Sequence, residues 1–143
     1  MRRTGTLAAL GVLLAMTLAA CAGERVEQAP PAAMTNHQVQ AIAENMLVAY
    51  NLDDYQAFSR DLSLPAKLIV DENTFGEFRT ENLPVTGAFM AVISVQREPA
   101  KQDPNHLRYR VQAQFQHLSV VALVLTLSRD GQVEGLDLYP RTE

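Results

Sequence analysis

Apolar residues recur along this chain in two rhythms, and the change between them falls near residue 87. From Thr35 the spacing is helical. Val39, Ile42, Met46 and Tyr50 follow one another at intervals of three and four and so share a face, while Gln40, Glu44 and Asn45 lie off it. Thr35 with Gln38 three residues on is a capping box, which places the helix start. Asn51 closes this helix. Asp53 or Asp54 caps a second, shorter one carrying Tyr55 and Phe58, and Pro65 is expected to break the chain. Residues 68–70 read as helix ending near Val70. Asp71 caps a third short helix with Phe75 and Phe78 on its buried face, and Pro84 and Gly87 end the helical half.

Beyond Gly87 the period is two. Phe89, Ala91, Ile93 and Val95 alternate with Met90, Val92, Ser94 and Gln96, which predicts a strand. Pro99 and Pro104 mark a loop. The next strand is the clearest: Tyr109, Val111, Ala113 and Phe115 point to a core, and Arg108, Arg110, Gln112, Gln114 and Gln116 to water. Residues 119–128 are apolar on both faces, with Val121, Leu123, Leu125 and Leu127 opposed by Val120, Ala122 and Val124. Asp130-Gly131 predicts a two-residue hairpin returning the chain through residues 133–139. Helices followed by consecutive antiparallel strands read as an α+β fold, N-terminal helices packed on a curved antiparallel sheet of about four strands. The core is expected to join Phe89, Val111, Phe115 and Leu123 to Ile42, Met46 and Phe58.

The first residues follow a different logic. Arg2-Arg3 precede an apolar run over residues 7–20 that is interrupted by Gly11 and Thr17. That run of about 14 residues is short of the roughly 20 that cross a bilayer, and it ends in small residues before the only cysteine. Leu18-Ala19-Ala20-Cys21 resembles the bacterial lipobox. The resemblance implies a signal peptide over residues 1–20, a diacylglyceryl group on Cys21, and a mature chain that starts there. It also implies a location in the cell envelope outside the cytoplasm, on the outer membrane where the cell has one. Residues 21–34 are then the lipidated cysteine and a flexible tether, with Pro30-Pro31 excluding a helix interior. Residues 35–143 form one domain. With its sulfur committed to lipid, the chain has no disulfide, no cysteine-based zinc site and no thiol nucleophile. The net charge is −4, and loss of Arg2 and Arg3 makes the remainder more acidic. Nucleic acid is therefore excluded as a partner, and the membrane is reached through the acyl chains rather than a basic surface.

Several stretches then carry a family likeness. Asp54-Tyr55-Gln56-Ala57-Phe58-Ser59, Phe75-Gly76-Glu77-Phe78, Gly87-Ala88-Phe89, Tyr109 with Val111, Phe115, and Asp130-Gly131 with Val133, Gly135 and Leu136 stand in an order similar to the small nuclear transport factor 2-like (cystatin-like) domains of unknown function. The likeness covers roughly residues 39–139. It implies a cone between helices and sheet, and its motifs are turn glycines and core aromatics rather than a catalytic signature.

Candidate chemistry is sparse. Tyr50, Phe58, Tyr109 and Phe115 are the candidate pocket residues of that cone, the two tyrosines being the polar ones. No carboxylate is predicted on the core face of a strand, and Asp137 is expected in solvent. His37, His106 and His117 lack metal-ligand spacing, and no nucleophile elbow or phosphate-binding loop occurs, so no metal, cofactor or catalytic residue is assigned. Val120, Ala122 and Val124 form a candidate interface for a twin subunit or an envelope protein. The function expected is an envelope lipoprotein with a small non-enzymatic domain that binds a ligand or protein. The alternative is a small-molecule enzyme of isomerase or dehydratase type using the cone.

Overall fold

The computed structural model describes residues 34–99 and 105–140. Residues 1–33, to which the sequence reading assigns a signal peptide, the lipidated Cys21 and a tether, lie outside the described residues, as do most of the loop after Pro99 and residues 141–143. The order of elements is α1 (Asn36–Leu52), α2 (Tyr55–Ser59), α3 (Leu64–Ile69), α4 (Glu72–Thr86), β1 (Phe89–Glu98), β2 (Leu107–Phe115), β3 (Val121–Leu127) and β4 (Val133–Pro140). The strands form one antiparallel sheet in the order β1-β2-β3-β4, so the fold is α+β with the helices ahead of a curved meander.

Each helix starts where a short polar side chain can hold its first free N–H groups. The Gln38 N–H donates to Thr35 Oγ1 at 3.2 Å, and the Thr35 N–H donates to Gln38 Oε1 at 2.9 Å. The Ala57 N–H donates to Asp54 Oδ1 at 2.9 Å, and the Thr74 N–H donates to Asp71 Oδ1 at 2.8 Å. Asp53 does not cap α2. It ends α1 in the left-handed region at φ 58°, which an aspartate tolerates better than most residues. Arg79 secures that end from α4, donating through Nε to the Tyr50 carbonyl at 2.8 Å, with Nη1 3.5 Å from Asp53.

Two prolines behave otherwise than expected. Pro65 sits in the first turn of α3 behind the Ser63 cap, where the N–H it lacks has no helical acceptor, so it opens a helix instead of breaking one. Pro84 lies inside α4, which runs past it to Thr86. The break comes at Gly87, whose φ of 69° suits glycine and whose N–H donates to the Leu83 carbonyl at 2.8 Å. The helix expected to be short and third is therefore a four-turn helix and the fourth.

The sheet obeys its sequence pattern in β2 and departs from it in β1. Tyr109, Val111, Ala113 and Phe115 are all buried against the helices. In β1 the register shifts twice, between Phe89 and Ala91 and between Val92 and Ser94. Each shift inverts the alternation. Phe89, Val92 and Val95 therefore turn to the core, while Ala91 and Ile93, expected inside, are exposed. The β3–β4 connection also carries one residue more than expected. The Ser128 N–H donates to the Gln132 carbonyl at 2.8 Å around Arg129, Asp130 and Gly131, with Gly131 at φ 78°. That is the three-residue hairpin that ends in a left-handed glycine.

Both outer strands of the sheet are held at one end. The Asn51 side chain bonds both backbone groups of Phe89, donating to its carbonyl at 2.9 Å and accepting from its N–H at 2.8 Å. At the other margin Leu62 bridges Val133 in parallel: the Ser63 N–H donates to the Val133 carbonyl and the Val133 N–H to the Asp61 carbonyl, each at 2.8 Å. Between the layers lies one core. It contains Met46, Phe58, Phe89, Val111, Phe115 and Leu123, with Ile42 half-buried against it.

Candidate functional site

The cone that the sequence likeness implies would lie between the helices and the sheet. α1 delivers Leu47 and Tyr50, α2 delivers Phe58, α4 delivers Phe78, and the inner sheet face delivers Phe115, Leu123, Leu136 and Leu138. These surround a cavity of about 10 Å³, and its lining is hydrocarbon. That volume is at the lower limit for one water molecule. Leu136 and Leu138 belong to this inner face because they pair with Leu125 and Leu123 across the ladder, and Asp137 between them is exposed. The rings interlock edge to face: Tyr50 with Phe78 at 5.9 Å and with Phe115 at 6.4 Å, and Phe89 with Phe115 at 5.8 Å between centroids.

The polar tips of the two candidate tyrosines are both engaged. The Tyr50 hydroxyl lies 3.3 Å from Thr86 Oγ1, and that oxygen is itself within 3.0 Å of the Asn82 and Gly87 carbonyls. Thr86 has a single hydroxyl proton, which a carbonyl takes, so Tyr50 is the donor in the pair. Burial pushes the Tyr50 pKa up, against smaller lowering by the Thr86 bond and the Arg79 charge, so the phenol stays protonated. Tyr109 is fully buried but does not line the cavity. Its hydroxyl donates to the Met34 carbonyl at 2.8 Å, fastening the start of the domain to the sheet. The structure thus brings Tyr50, Phe58 and Phe115 together and sets Tyr109 apart. Sequence periodicity places all four on core faces, but it does not show which end of the core each tip reaches.

The histidines are separated. His37 and His117 are exposed, and the His106 Nε2 meets the Glu134 carboxylate beside the β3–β4 hairpin. Among the described residues no three His, Cys, Asp or Glu side chains are grouped to hold a metal ion.

On the other side of the sheet the polar stripe is tied together. Glu98 accepts from Arg110 at 2.8 Å and lies 3.6 Å from Arg108, and the Ser94 hydroxyl bonds Gln112 at 3.0 Å. The candidate interface of Val120, Ala122 and Val124 is not a bare patch. Ala122 is 7% and Val124 1% exposed within the single chain, and Val120 is half-buried just before β3. The reason is the position of β3 inside the sheet. Val124 stands between Arg110 and Asp137, and Ala122 between Gln112 and Tyr139, so longer neighbours on both sides cover small outward residues. Beside them only Tyr139, the partner of Ala122, is a large apolar side chain in solvent; the others among the described residues are Val48 and Leu52 on α1, Leu64, Leu68 and Ile69 on α3, Val85 on α4, and Met90 and Ile93 on β1.

Compared with known proteins, the chain matches no family model, and no curated protein or solved structure matches it significantly. No helix among the described residues is long and apolar enough to cross a membrane.

Proposed function

We propose that this chain is an envelope lipoprotein, lipidated at Cys21, whose domain is a non-enzymatic binding module of the nuclear transport factor 2-like kind. Support for the anchor is in the sequence: a basic start, an apolar run too short to span a bilayer, and small residues before a single cysteine. The family reading rests on the sequence likeness over roughly residues 39–139, and the order of helices ahead of a four-stranded meander gives the α+β fold it requires. The observation that carries binding over catalysis is the interior itself. Its cavity of about 10 Å³ is lined by hydrocarbon, and the hydroxyl of its lining residue Tyr50 is already bonded and held neutral. A general acid or base must reach its substrate and change protonation near the working pH, and Tyr50 meets neither condition.

The test is labelling with a radioactive fatty acid in cells that make the full chain. The parent takes up label and fractionates with membranes, whereas Cys21→Ser accumulates as an uncleaved, unlabelled precursor. Processing and labelling of Cys21→Ser would overturn the anchor. Recovery of an envelope protein on the lipidated chain supports the binding module.

A further inference from the structure

A helix packed on a core normally turns its outward face to water with polar residues. α3 does not. Its inward side is small and buried, with Ser63 at 3% and Ala66 at 5% exposure, while Leu64, Leu68 and Ile69 stand 72%, 80% and 74% exposed. Three nearly bare aliphatic side chains on six residues make this the most exposed apolar group among the described residues, with Lys67 beside them.

The place of α3 in the fold identifies what it faces. Ser63, its cap, donates to Val133 at the base of the β3–β4 hairpin. Met34 is at the same hairpin. A Cβ added to Gly131 would stand 3.0 Å from Met34 Sδ, and Tyr109 fastens the Met34 carbonyl. Met34 and the start of α3 therefore both lie against the β3–β4 hairpin. Only residues 22–33 separate Met34 from Cys21. On the sequence reading of these residues as a tether, a coil of that length spans on the order of 20 Å. A domain of this size is roughly 34 Å across, so on average the end where Met34 joins is the end nearest the anchor.

We infer that α3 is a membrane-contact element: Leu64, Leu68 and Ile69 enter the interfacial layer of the bilayer that holds the acyl chains of Cys21. The inference rests on the lipoprotein reading and adds an orientation to it. Interfacial helices bury their apolar side about 5–10 Å into the boundary between headgroups and acyl chains. Three aliphatics with a flanking lysine match that depth, since a lysine stem lies along apolar surface while its ammonium stays among the headgroups. The hairpin end then faces the lipid, and β1, on the opposite margin of the sheet from β4, stays in water.

The chain contains no tryptophan, so one substitution supplies one fluorophore. The full lipidated protein carrying Leu68→Trp is placed in vesicles of equal parts phosphatidylethanolamine and phosphatidylglycerol, with phospholipid brominated near the top of its acyl chains. Ile93→Trp, half-exposed on β1, is the control. Both proteins are checked for parental melting. The expected result is quenching at Leu68→Trp several-fold stronger than at Ile93→Trp, falling to the control level when Leu64→Ser and Ile69→Ser are added. Equal quenching at both positions overturns the orientation while leaving the anchor in place. So does a blue-shifted Leu68→Trp emission that bromine does not affect, because α3 is then covered by protein: by a second copy if the shift depends on protein density, by residues 22–33 if it does not. A chain that carries no fatty acid and does not float with the vesicles overturns the anchor, and this inference with it.

Discussion

Replacing Phe115 by alanine tests the core most directly. The ring is 2% exposed, meets Tyr50 and Phe89 edge to face at 6.4 and 5.8 Å, and forms part of the cavity wall with Leu123. Truncating a buried phenylalanine costs about 3–5 kcal/mol, which combines lost transfer energy with the void left behind. Two features place Phe115→Ala at the upper end. The two ring pairs each contribute about 0.5–1.5 kcal/mol beyond area, and the new void opens onto an existing cavity, so it cannot close by a small local shift. Against a total stability of about 5–15 kcal/mol, this leaves the domain marginal. For a domain near 100 residues the melting point falls by roughly 15–30 °C. The assay is thermal and urea unfolding of residues 34–143 followed by circular dichroism. Phe115→Leu keeps most of the volume and loses the ring edges, so it falls between parent and alanine. If Phe115→Ala melts within a few degrees of the parent at an unchanged urea slope, the packing described between α1 and β2 is wrong.

Three further outcomes follow from the same geometry. Asn51→Ala removes both bonds to the Phe89 backbone and costs about 1–3 kcal/mol; faster exchange of the Phe89 amide with solvent deuterium, beyond the global change, is the specific sign. Val124→Asp places a carboxylate at a position 1% exposed beside Asp137, so it destabilises by about 3 kcal/mol or more and leaves the oligomeric state unchanged; light scattering and a melt separate the two effects. Asp71 has its pKa lowered, first by the Thr74 backbone bond and then by the Thr74 hydroxyl. A depressed carboxylate stabilises the fold above its unfolded value near 3.8 and loses that contribution as pH falls through the lower folded value. The acid limb of a pH–stability curve is therefore shallower in Asp71→Asn, and identical limbs would contradict the cap.

Local signals were legible in the sequence wherever one residue's chemistry decides the outcome. The Thr35–Gln38 box, the Asp71 cap and the strict alternation of β2 all appear where the residues place them. Signals were misleading wherever a neighbour in space decides. Pro84 reads as a stop, yet α4 runs two residues past it to Thr86 without the bond that position 84 would donate to the Thr80 carbonyl, and Gly87 supplies the break. The apolar run from Phe89 to Val95 reads as one alternating strand, because a register shift leaves no mark in composition. Val124 reads as exposed only until β3 is known to lie between two strands with longer side chains. Among the candidate site residues, the rings of Tyr50, Phe58 and Phe115 were foreseeable as core. The destination of the Tyr109 hydroxyl was not, because its acceptor is 75 residues away in the chain.

The bonds that Asn51 and the Asp61–Ser63 segment make to the two outer strands bear on how these chains behave when crowded. An uncovered strand is a template on which another chain's strand can add, and that is a route to aggregation. Here the first residue of β1 and the first of β4 already have side-chain or loop partners, and β1 is offset twice before its run becomes regular at Ser94. A second copy drawn alongside meets an occupied position and then a misaligned ladder, so continuous sheet growth from copy to copy is obstructed at both margins. A polar side chain that looks like a minor brace for α1 thus also occupies the first edge position on which a second strand would add.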